Sequence, residues 1–200
     1  EVNDAPVANA GSFSTDEDID VSYTLTWDDG DPWGSAADDQ DSTFAIVDST
    51  LHGTLSLDVS TGALTYDPDD DYNGSDSFTF TVTDDGTTNG TSDPLTSTAS
   101  TVSITVNAIN DAPVLSSISA QTTSEDSDME VNLSGTDVDI ATNGQSLTFT
   151  ATSGDESMVL VSITNPGTST ATLSLDVQDD ANGTVTVSVT VSDGNDGTDT

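Results

Sequence analysis

The chain contains no lysine, no arginine and no cysteine, and it has one histidine among its 200 residues. Without basic side chains it cannot neutralise phosphate groups, so nucleotides, nucleic acids and anionic lipid surfaces are excluded as ligands. The missing lysine also excludes Schiff-base chemistry and lysine–asparagine isopeptide bonds. The missing cysteine excludes disulfides and thiolate metal sites. No hydrophobic run in these residues is long enough to span a bilayer, so we expect no direct membrane insertion.

Acidic side chains dominate what is present, with 37 aspartates and glutamates and a net charge of −37. Two carboxylates about 4 Å apart repel each other by roughly 4 kcal/mol at an effective dielectric constant near 20. Because the chain has no basic partner for them, only bound cations can offset this repulsion. Aspartate far outnumbers glutamate, and Ca²⁺ is the hard ion that best fits several short oxygen ligands. The alternative is the acidic surface of a halophile's protein, which requires no specific ion and predicts evenly scattered acids.

The segment Asn-Asp-Ala-Pro-Val occurs twice, at Asn3–Val7 and at Asn110–Val114. The interval of 107 residues (110 minus 3) is too long for a solenoid repeat and matches one β-sandwich domain. The sequence therefore predicts two tandem domains, one over residues 1–107 with an upstream linker at 1–6, and one over residues 108–200.

Apolar residues alternate with polar ones in short segments of both blocks, and glycine, asparagine, aspartate or proline bounds each segment. In the first block one face of each segment carries Ile19/Val21/Tyr23/Leu25/Trp27, Phe44/Ile46, Leu55/Leu57, Leu64/Tyr66, Phe78/Phe80/Val82 and Val102/Ile104/Val106. In the second it carries Met129/Val131/Leu133, Leu147/Phe149/Ala151, Val159/Val161/Ile163, Ala171/Leu173/Leu175 and Val185/Val187/Val189/Val191. No segment has a helical pattern of useful length. We predict an all-β fold of two tandem Greek-key β-sandwiches.

The first block closes with the alternating segment "STVSITVN", whereas the second stops at the turn "SDGNDGTDT". We therefore expect the second sandwich to lack its final strand. This pattern is typical of a window from a longer tandem array. An unassigned terminal strand is the alternative, and donation of the strand by a neighbouring chain would need a spare strand.

The acids gather at four kinds of position, each present in both blocks. They precede the first long strand, follow it, precede the penultimate strand and follow that strand. The members are Glu17 and Glu125; Asp29, Asp31, Asp137 and Asp139; Asp69, Asp70, Asp71, Asp179 and Asp180; and Asp84 and Asp193. Together with the repeated segment, these positions place the acids in loops at the ends of the sandwiches.

At these positions the sequence resembles the cadherins. The stretch "TGALTYDPDDDYNGSDSFTFTVTDDG" is similar to the cadherin segment that runs from a Leu-Asp-Arg-Glu turn to an Asp-x-Gly. "SGTDVDIATNGQSLTF" resembles the Asp-Ala-Asp motif with its trailing asparagine, and "NAINDAPV" resembles the cadherin linker with Asn and Asp permuted. The arrangement is most similar to bacterial cadherin-like tandem repeats, which occur in very large secreted adhesins and biofilm proteins.

This resemblance implies two or three Ca²⁺ ions at the junction between the domains. Its ligands would be Glu17, Asp69, Asp71, Asn107, the carbonyl of Ile109, Asn110, Asp111, Asp137, Asp139, Asn143 and Asp193. Two outer sets are also implied: an upstream set of Asn3, Asp4, Asp29, Asp31 and Asp84, and a downstream set of Glu125, Asp179 and Asp180. Asn107 and Ile109 replace an aspartate and an asparagine of the cadherin linker. The downstream set has a glutamine where its first aspartate is expected.

The residues that could be catalytic have structural explanations. His52 precedes a strand in "LHGTLSL", a position that related repeats often fill with His-Gly-Thr, and we expect a structural role. The Asp69/Asp71 pair could in principle hydrolyse a glycoside, but dense, repeated acid clusters are better explained by a metal. We therefore expect no enzyme. The resemblance favours a calcium-rigidified extender of an extracellular bacterial fibre or adhesin stalk, with neighbouring repeats as partners. The alternative is a calcium-dependent polysaccharide-binding module that uses Trp33.

Overall fold

The computed structural model describes residues 2–29, 41–164, 169–195 and 197–200, without the side chains of residues 142 and 143. The chain forms two compact units. The first, unit 1, ends at Ile109, and the second, unit 2, starts at Asn110. The division lies two residues downstream of the boundary expected between residues 107 and 108.

Unit 1 is a sandwich of two sheets with strand orders β2-β11-β8-β5 and β3-β7-β6, accompanied by the short pairs β1-β4 and β9-β10. Strand β11 runs parallel to β2 and antiparallel to β8. Its strands are β1 (Val7–Ala8), β2 (Gly11–Asp16), β3 (Val21–Thr24), β4 (Trp27–Asp28), β5 (Ser42–Asp48), β6 (Gly53–Leu57), β7 (Ala63–Pro68), β8 (Gly74–Asp84), β9 (Thr87–Thr88), β10 (Thr91–Ser92) and β11 (Ser100–Asn107).

The core of unit 1 follows the alternation of the sequence, because successive strand residues point to opposite faces of a sheet. Phe78, Phe80 and Val82 of β8 pack against Leu64 and Tyr66 of β7, and all five are buried. Each sheet therefore contributes one apolar face to the core.

Ile19 is an exception, because the prediction that it faces the core is wrong. Its side chain is 57% exposed, and strand β3 begins only at Val21. A turn precedes the strand, in which the Thr15 hydroxyl donates a 2.7 Å hydrogen bond to the Ile19 carbonyl and Asp18 has a φ of +60°. The turn interrupts the alternation of apolar and polar residues that runs from Ile19 to Trp27 in the sequence.

Unit 2 has the same architecture, with sheets β12-β13-β16-β15 and β14-β17-β18. Its buried core includes Leu133, Leu147, Phe149, Leu173 and Val191. Its elements are β12 (Val114–Leu115), β13 (Met129–Thr136), α1 (Ile140–Asn143), β14 (Thr148–Ser153), β15 (Val159–Thr164), β16 (Thr170–Val177), β17 (Val187–Ser192) and β18 (Thr198–Asp199).

The prediction of an all-β fold with two tandem sandwiches is confirmed. At the position expected to lack a strand, β18 pairs antiparallel with β17 through two residues, whereas β11 of unit 1 pairs with β8 through seven. The helix α1 has one turn and is followed by Gly144 in the left-handed conformation (φ +67°). Among the described residues, no helix could cross a membrane.

Candidate metal-binding ends of the units

In each unit, charge is absent from much of the outer face of one sheet. On β14 and β17 the outward cross-strand pairs are Thr148–Ser192, Thr150–Thr190 and Thr152–Ser188. On β11 and β8 they are Thr101–Thr79, Ser103–Ser77 and Thr105–Ser75. These faces carry hydroxyl groups, while the acid clusters lie in the loops. An evenly acidic surface, the alternative raised by the composition, does not describe these faces.

Unit 1 has two ends, separated by the eleven residues of β8. We call the end where its chain enters, around Asn3 and Asp84, the upstream end. The downstream end is where its chain leaves, around Glu17 and Ile109. The corresponding ends of unit 2 lie around Asn110 and Asp193, and around Asp126 and Asp180.

The downstream end of unit 1 is organised by Glu17, which is 4% exposed. One carboxylate oxygen accepts a hydrogen bond from the Ile109 backbone NH, and the other accepts one from the Asn73 amide at 3.1 Å. The backbone NH of Glu17 donates to the Asn107 carbonyl at 3.0 Å, and the Asn107 side chain donates to Asp16 at 3.0 Å. Glu17 thus fastens the departing chain to this end of the sandwich.

Two aspartates at this end share an unusual backbone conformation. Asp18 (φ +60°) and Asp71 (φ +57°) are both left-handed, which non-glycine residues adopt rarely. The NH of Asp71 donates to the Asp18 carboxylate at 2.9 Å. Unit 2 repeats the arrangement with Asp126 (φ +57°) and Asp180 (φ +56°), whose NH donates to Asp126 at 2.9 Å. The two downstream ends therefore have the same backbone frame.

Their side chains differ. In unit 1 the loop after β7 presents three exposed acids in a row, residues 69–71, and Glu17 is buried beneath the departing chain. In unit 2 Gln178 occupies the position of Asp69, and Glu125, the counterpart of Glu17, is exposed. Asp179 and Asp180 are also exposed. The unit 2 set therefore has fewer carboxylates and no buried glutamate.

At the upstream end of unit 1, the repeated segment supplies a donor. The Asn3 amide donates to Asp84 at 3.0 Å and to the Asp93 carbonyl at 2.8 Å. The same Asp84 oxygen accepts from the backbone NH groups of Gly86 at 3.1 Å and Leu95 at 2.9 Å. A side chain at Gly86 would collide with the Asn3 amide. Asn3 and Asp84 are both buried.

Unit 2 repeats this contact with Asn110, whose amide donates to Asp193 at 2.7 Å. The other oxygen of Asp193 accepts from the backbone NH groups of Asn195 at 2.8 Å and Gly197 at 3.1 Å. The Asn110 amide and these NH groups favour the charged carboxylate and hold the pKa of Asp193 below its ordinary value, despite its burial. The asparagine of the repeated segment therefore anchors the arriving chain in both units.

A short chain of hydrogen bonds links the remaining acids at the upstream end of unit 2. The NH of Asp111 donates to Asp139 at 2.8 Å, and the NH of Asp139 donates to Asp137 at 2.8 Å. Asp139 is 2% exposed and precedes α1. Gln145, just after the helix, donates to the Asn110 side-chain oxygen at 2.6 Å. Asp139, just before the helix, and Gln145, just after it, therefore both contact the chain where it enters unit 2.

At the upstream ends, Asp84, Asp137 and Gln145 each bury one side-chain oxygen that accepts no hydrogen bond, and each of the two aspartates uses its other oxygen as an acceptor. Burial of a carboxylate oxygen without a partner is costly. Among the described residues no buried side-chain nitrogen is left in this state. The unsatisfied groups are thus all oxygens, which are the atoms that a hard cation binds. The residues therefore fit Ca²⁺.

Some expected ligands have no described surroundings. Asp31 lies outside the described residues, as does Trp33, and the side chain of Asn143 is not described. Asp4 is exposed and Asp29 is half-buried. Within each unit, the other expected ligands lie at the predicted ends.

Several residues of these ends were not predicted from the sequence. Asp18 and Asp126 follow the two glutamates in "DED" and "SED", so the repeated Glu-Asp pair was an available signal. Asn73 and Gln145, which contact Glu17 and Asn110, carried no comparable signal, because amide side chains are common in loops.

Replacing Asn110 by aspartate tests the anchoring contact. Asn110→Asp removes the donor to Asp193 and places two carboxylates against each other, so we expect the chelated chain to lose about 2–4 kcal/mol of unfolding free energy. Urea unfolding in chelator measures the loss. Asn110→Ser, which removes the amide without adding charge, is the control and should lose less. Equal losses for the two variants would contradict the electrostatic explanation.

Two tandem immunoglobulin-like sandwiches with acids gathered at their ends define a class of repeated modules. The sequence profile of the bacterial Ig domain matches residues 3–105 and 110–200, so the chain belongs to this family in two tandem copies. No curated protein matches the chain.

Solved cadherin structures have a similar fold. Mouse cadherin-23 EC22-24 is 21% identical with a TM-score of 0.57, and the alignment covers 98% of this chain and 63% of that one. Mouse protocadherin-24 EC1-3 is 16% identical with a TM-score of 0.56, covering 98% and 66%. Protocadherin gammaB7 EC3-6 is 15% identical with a TM-score of 0.54, covering 96% and 49%. The chain thus spans less than two thirds of each of these chains. The expected likeness to cadherin-like tandem repeats is confirmed at the level of fold and family.

Proposed function

We propose that the chain is a calcium-rigidified structural repeat of an extracellular bacterial fibre or adhesin stalk, with Ca²⁺ bound at the junctions between domains. The ligands at the central junction are Glu17, Asp69, Asp71, Asn107, the Ile109 carbonyl, Asn110, Asp111, Asp137, Asp139, Asn143 and Asp193. The outer sets are Asn3, Asp4, Asp29, Asp31 and Asp84 upstream, and Glu125, Asp179 and Asp180 downstream. Neighbouring repeats of the same long chain are its partners.

The observation that carries the proposal is the set of unfilled oxygens in a chain without lysine or arginine. Asp84 and Asp137 each bury one oxygen that accepts no hydrogen bond. In most proteins lysine or arginine would pair with such groups, but this sequence has neither. A divalent cation supplies the missing charge and takes oxygen ligands in flexible geometry.

The chain's own residues set where the ions can act. Glu17 holds the chain as it leaves unit 1, and Asn110 and Asp139 hold it as it enters unit 2. Ile109 and Asn110 are consecutive, so the two sets of acids are tethered to neighbouring residues of the linker. Without cations these acids repel each other and the linker bends freely. Bound Ca²⁺ supplies the positive charge that lets both sets stay close to the linker.

The repeated proline limits the linker further. Pro113 is buried, its ring fixes its own φ, and it favours an extended conformation for Ala112. Pro6 is buried in the first copy of the segment. We propose that these prolines restrict the linker, so that bound ions need to immobilise only a short segment of it.

We also propose that the chain is not an enzyme. Its single histidine stacks on Tyr72 with ring centroids 4.1 Å apart, and its backbone carbonyl accepts hydrogen bonds from Asp69 and Tyr66. These are structural contacts. The polysaccharide alternative depended on Trp33, which lies outside the described residues, and nothing else in the described part of the chain favours it.

Isothermal titration of the metal-free chain with Ca²⁺ tests the proposal. We expect at least two ions to bind, with weaker heat for Mg²⁺, which is smaller and dehydrates reluctantly. The titration is repeated at matched ionic strength with Na⁺ alone. If Na⁺ stabilises the chain as well as Ca²⁺ and no saturable binding is observed, a general acidic surface replaces the calcium proposal.

A further inference from the structure

His52 and Asp76 form a polar cluster in unit 1 that the calcium ligands do not include. Asp76 is 8% exposed, and its carboxylate accepts hydrogen bonds from the backbone NH groups of Leu51 at 3.1 Å and His52 at 2.9 Å. The Tyr66 hydroxyl donates to the same carboxylate at 3.2 Å. Burial alone would raise the pKa of Asp76, but the backbone hydrogen bonds keep it below its ordinary value. Asp76 thus stays charged and fixes the position of residue 52.

Residue 52 in turn holds the acidic loop from two sides. Its carbonyl accepts a hydrogen bond from the Asp69 NH at 3.1 Å, at the start of the loop. Its imidazole ring stacks on Tyr72, at the end of the loop, with an interplanar angle of 7°. Tyr72 is held further by a 2.8 Å hydrogen bond from its hydroxyl to the Ser75 carbonyl. The loop that carries Asp69 and Asp71 is therefore clamped at both of its ends.

Unit 2 keeps the backbone part of this clamp and lacks the rest. The backbone NH of Gln178 donates to the Met158 carbonyl at 3.0 Å, which corresponds to the bond from Asp69 to His52 in unit 1. The backbone NH of Ala181 donates to the Gln178 carbonyl at 3.1 Å, which corresponds to the bond from Tyr72 to Asp69. The positions of His52, Tyr66, Tyr72 and Asp76 are occupied in unit 2 by Met158, Leu175, Ala181 and Val185. The complete clamp is therefore present in unit 1, whose loop carries three acids (residues 69–71), and absent from the corresponding loop of unit 2.

We infer that His52 is a positioning residue for the downstream calcium ligands of unit 1: its backbone, held by Asp76, and its ring, stacked on Tyr72, fix the loop so that Asp69 and Asp71 are preorganised for an ion. The inference rests on the proposed function. It assigns His52 a role in ion affinity, beyond support of the fold. Residues that orient metal ligands without touching the metal typically change metal affinity by 10–100-fold when they are replaced.

Site-resolved calcium titration tests this by following the backbone amides of Asp71 and Ile109 in NMR spectra of the 15N-labelled 200-residue chain. His52→Met introduces the residue of unit 2 and should weaken calcium binding at these amides about tenfold. His52→Phe keeps a ring that can stack and should retain the wild-type midpoint. Tyr72→Ala removes the other half of the stack and should reproduce the loss. Leu51→Ala, at the exposed neighbouring position, is the matched control.

The melting temperature in chelator separates the two possible roles. A purely structural role would lower this temperature for His52→Met and leave the calcium midpoint unchanged, and that result would overturn the inference. A wild-type midpoint in both His52→Met and Tyr72→Ala would also overturn it. If the wild-type amides do not respond to calcium at all, the proposed function fails first, and the two failures are thereby distinguished.

Discussion

Addition of calcium to the chelated chain should raise its melting temperature by about 10–20 °C at neutral pH. An ion present at one hundred times its dissociation constant stabilises the folded state by about 2.7 kcal/mol. In a domain of this size each 1 kcal/mol shifts the melting temperature by roughly 4–8 °C. The effect is large here because no lysine or arginine shields the clustered acids in the metal-free chain.

Differential scanning calorimetry in chelator, in Ca²⁺ and in NaCl of equal ionic strength measures this shift. Sodium screens all exposed acids alike, so it should recover only a small part of the stabilisation. Magnesium at the same concentration should give an intermediate result. A NaCl curve that coincides with the calcium curve would show that screening, and not specific ligation, accounts for the stability.

The second large effect is expected for Asp137→Asn, which should weaken calcium binding by about 10–100-fold while leaving the chelated chain at least as stable as the wild type. The side-chain carbonyl of asparagine can still accept the hydrogen bond from the Asp139 NH. The substitution then alters only the buried oxygen that accepts none, and it removes a charge from a crowded acidic end. In the proposed site this change removes a charged oxygen ligand, so the ion should bind more weakly.

Asp193→Asn is the matched comparison. Both oxygens of Asp193 already accept hydrogen bonds, one from Asn110 and one from Asn195 and Gly197. An asparagine at position 193 would place its side-chain NH₂ group against one of these donors. This variant should therefore lose stability in chelator as well as calcium affinity. Urea unfolding of both variants, with and without calcium, gives the four unfolding free energies to compare. Loss of stability by Asp137→Asn in chelator would show that its second oxygen has a partner in the folded chain.

The fold could be predicted from the sequence because alternation identifies strands wherever one face is buried. Phe78, Phe80 and Val82 illustrate this, since each is buried on the strand where the pattern placed it. The prediction for Ile19 was wrong because a turn that contains the left-handed Asp18 lies within the alternating segment. Alternation records which residues are apolar, and a turn of this kind leaves no trace in it.

The positions of the acids at the ends of the units could be predicted from the sequence, and their contacts only in part. The acids could be located because they recur at the same places in both blocks. The role of Asn3 and Asn110 could not be predicted, because the sequence does not show whether an amide offers its oxygen or its nitrogen. In both units the nitrogen donates to an aspartate, which is the last residue of β8 in unit 1 and the first residue after β17 in unit 2. The clamp around His52 also escaped prediction, since it depends on a buried carboxylate that unit 2 lacks.

Small-angle X-ray scattering of the two-unit chain, recorded in calcium and then in excess chelator, tests the central claim most directly. With calcium we expect a single elongated particle with a larger radius of gyration and a longer maximum interatomic distance than in chelator. With chelator the curve should become that of two compact bodies joined by a flexible hinge, and calcium should restore the first curve. Superimposable scattering curves in calcium and chelator would contradict the claim that calcium rigidifies this chain.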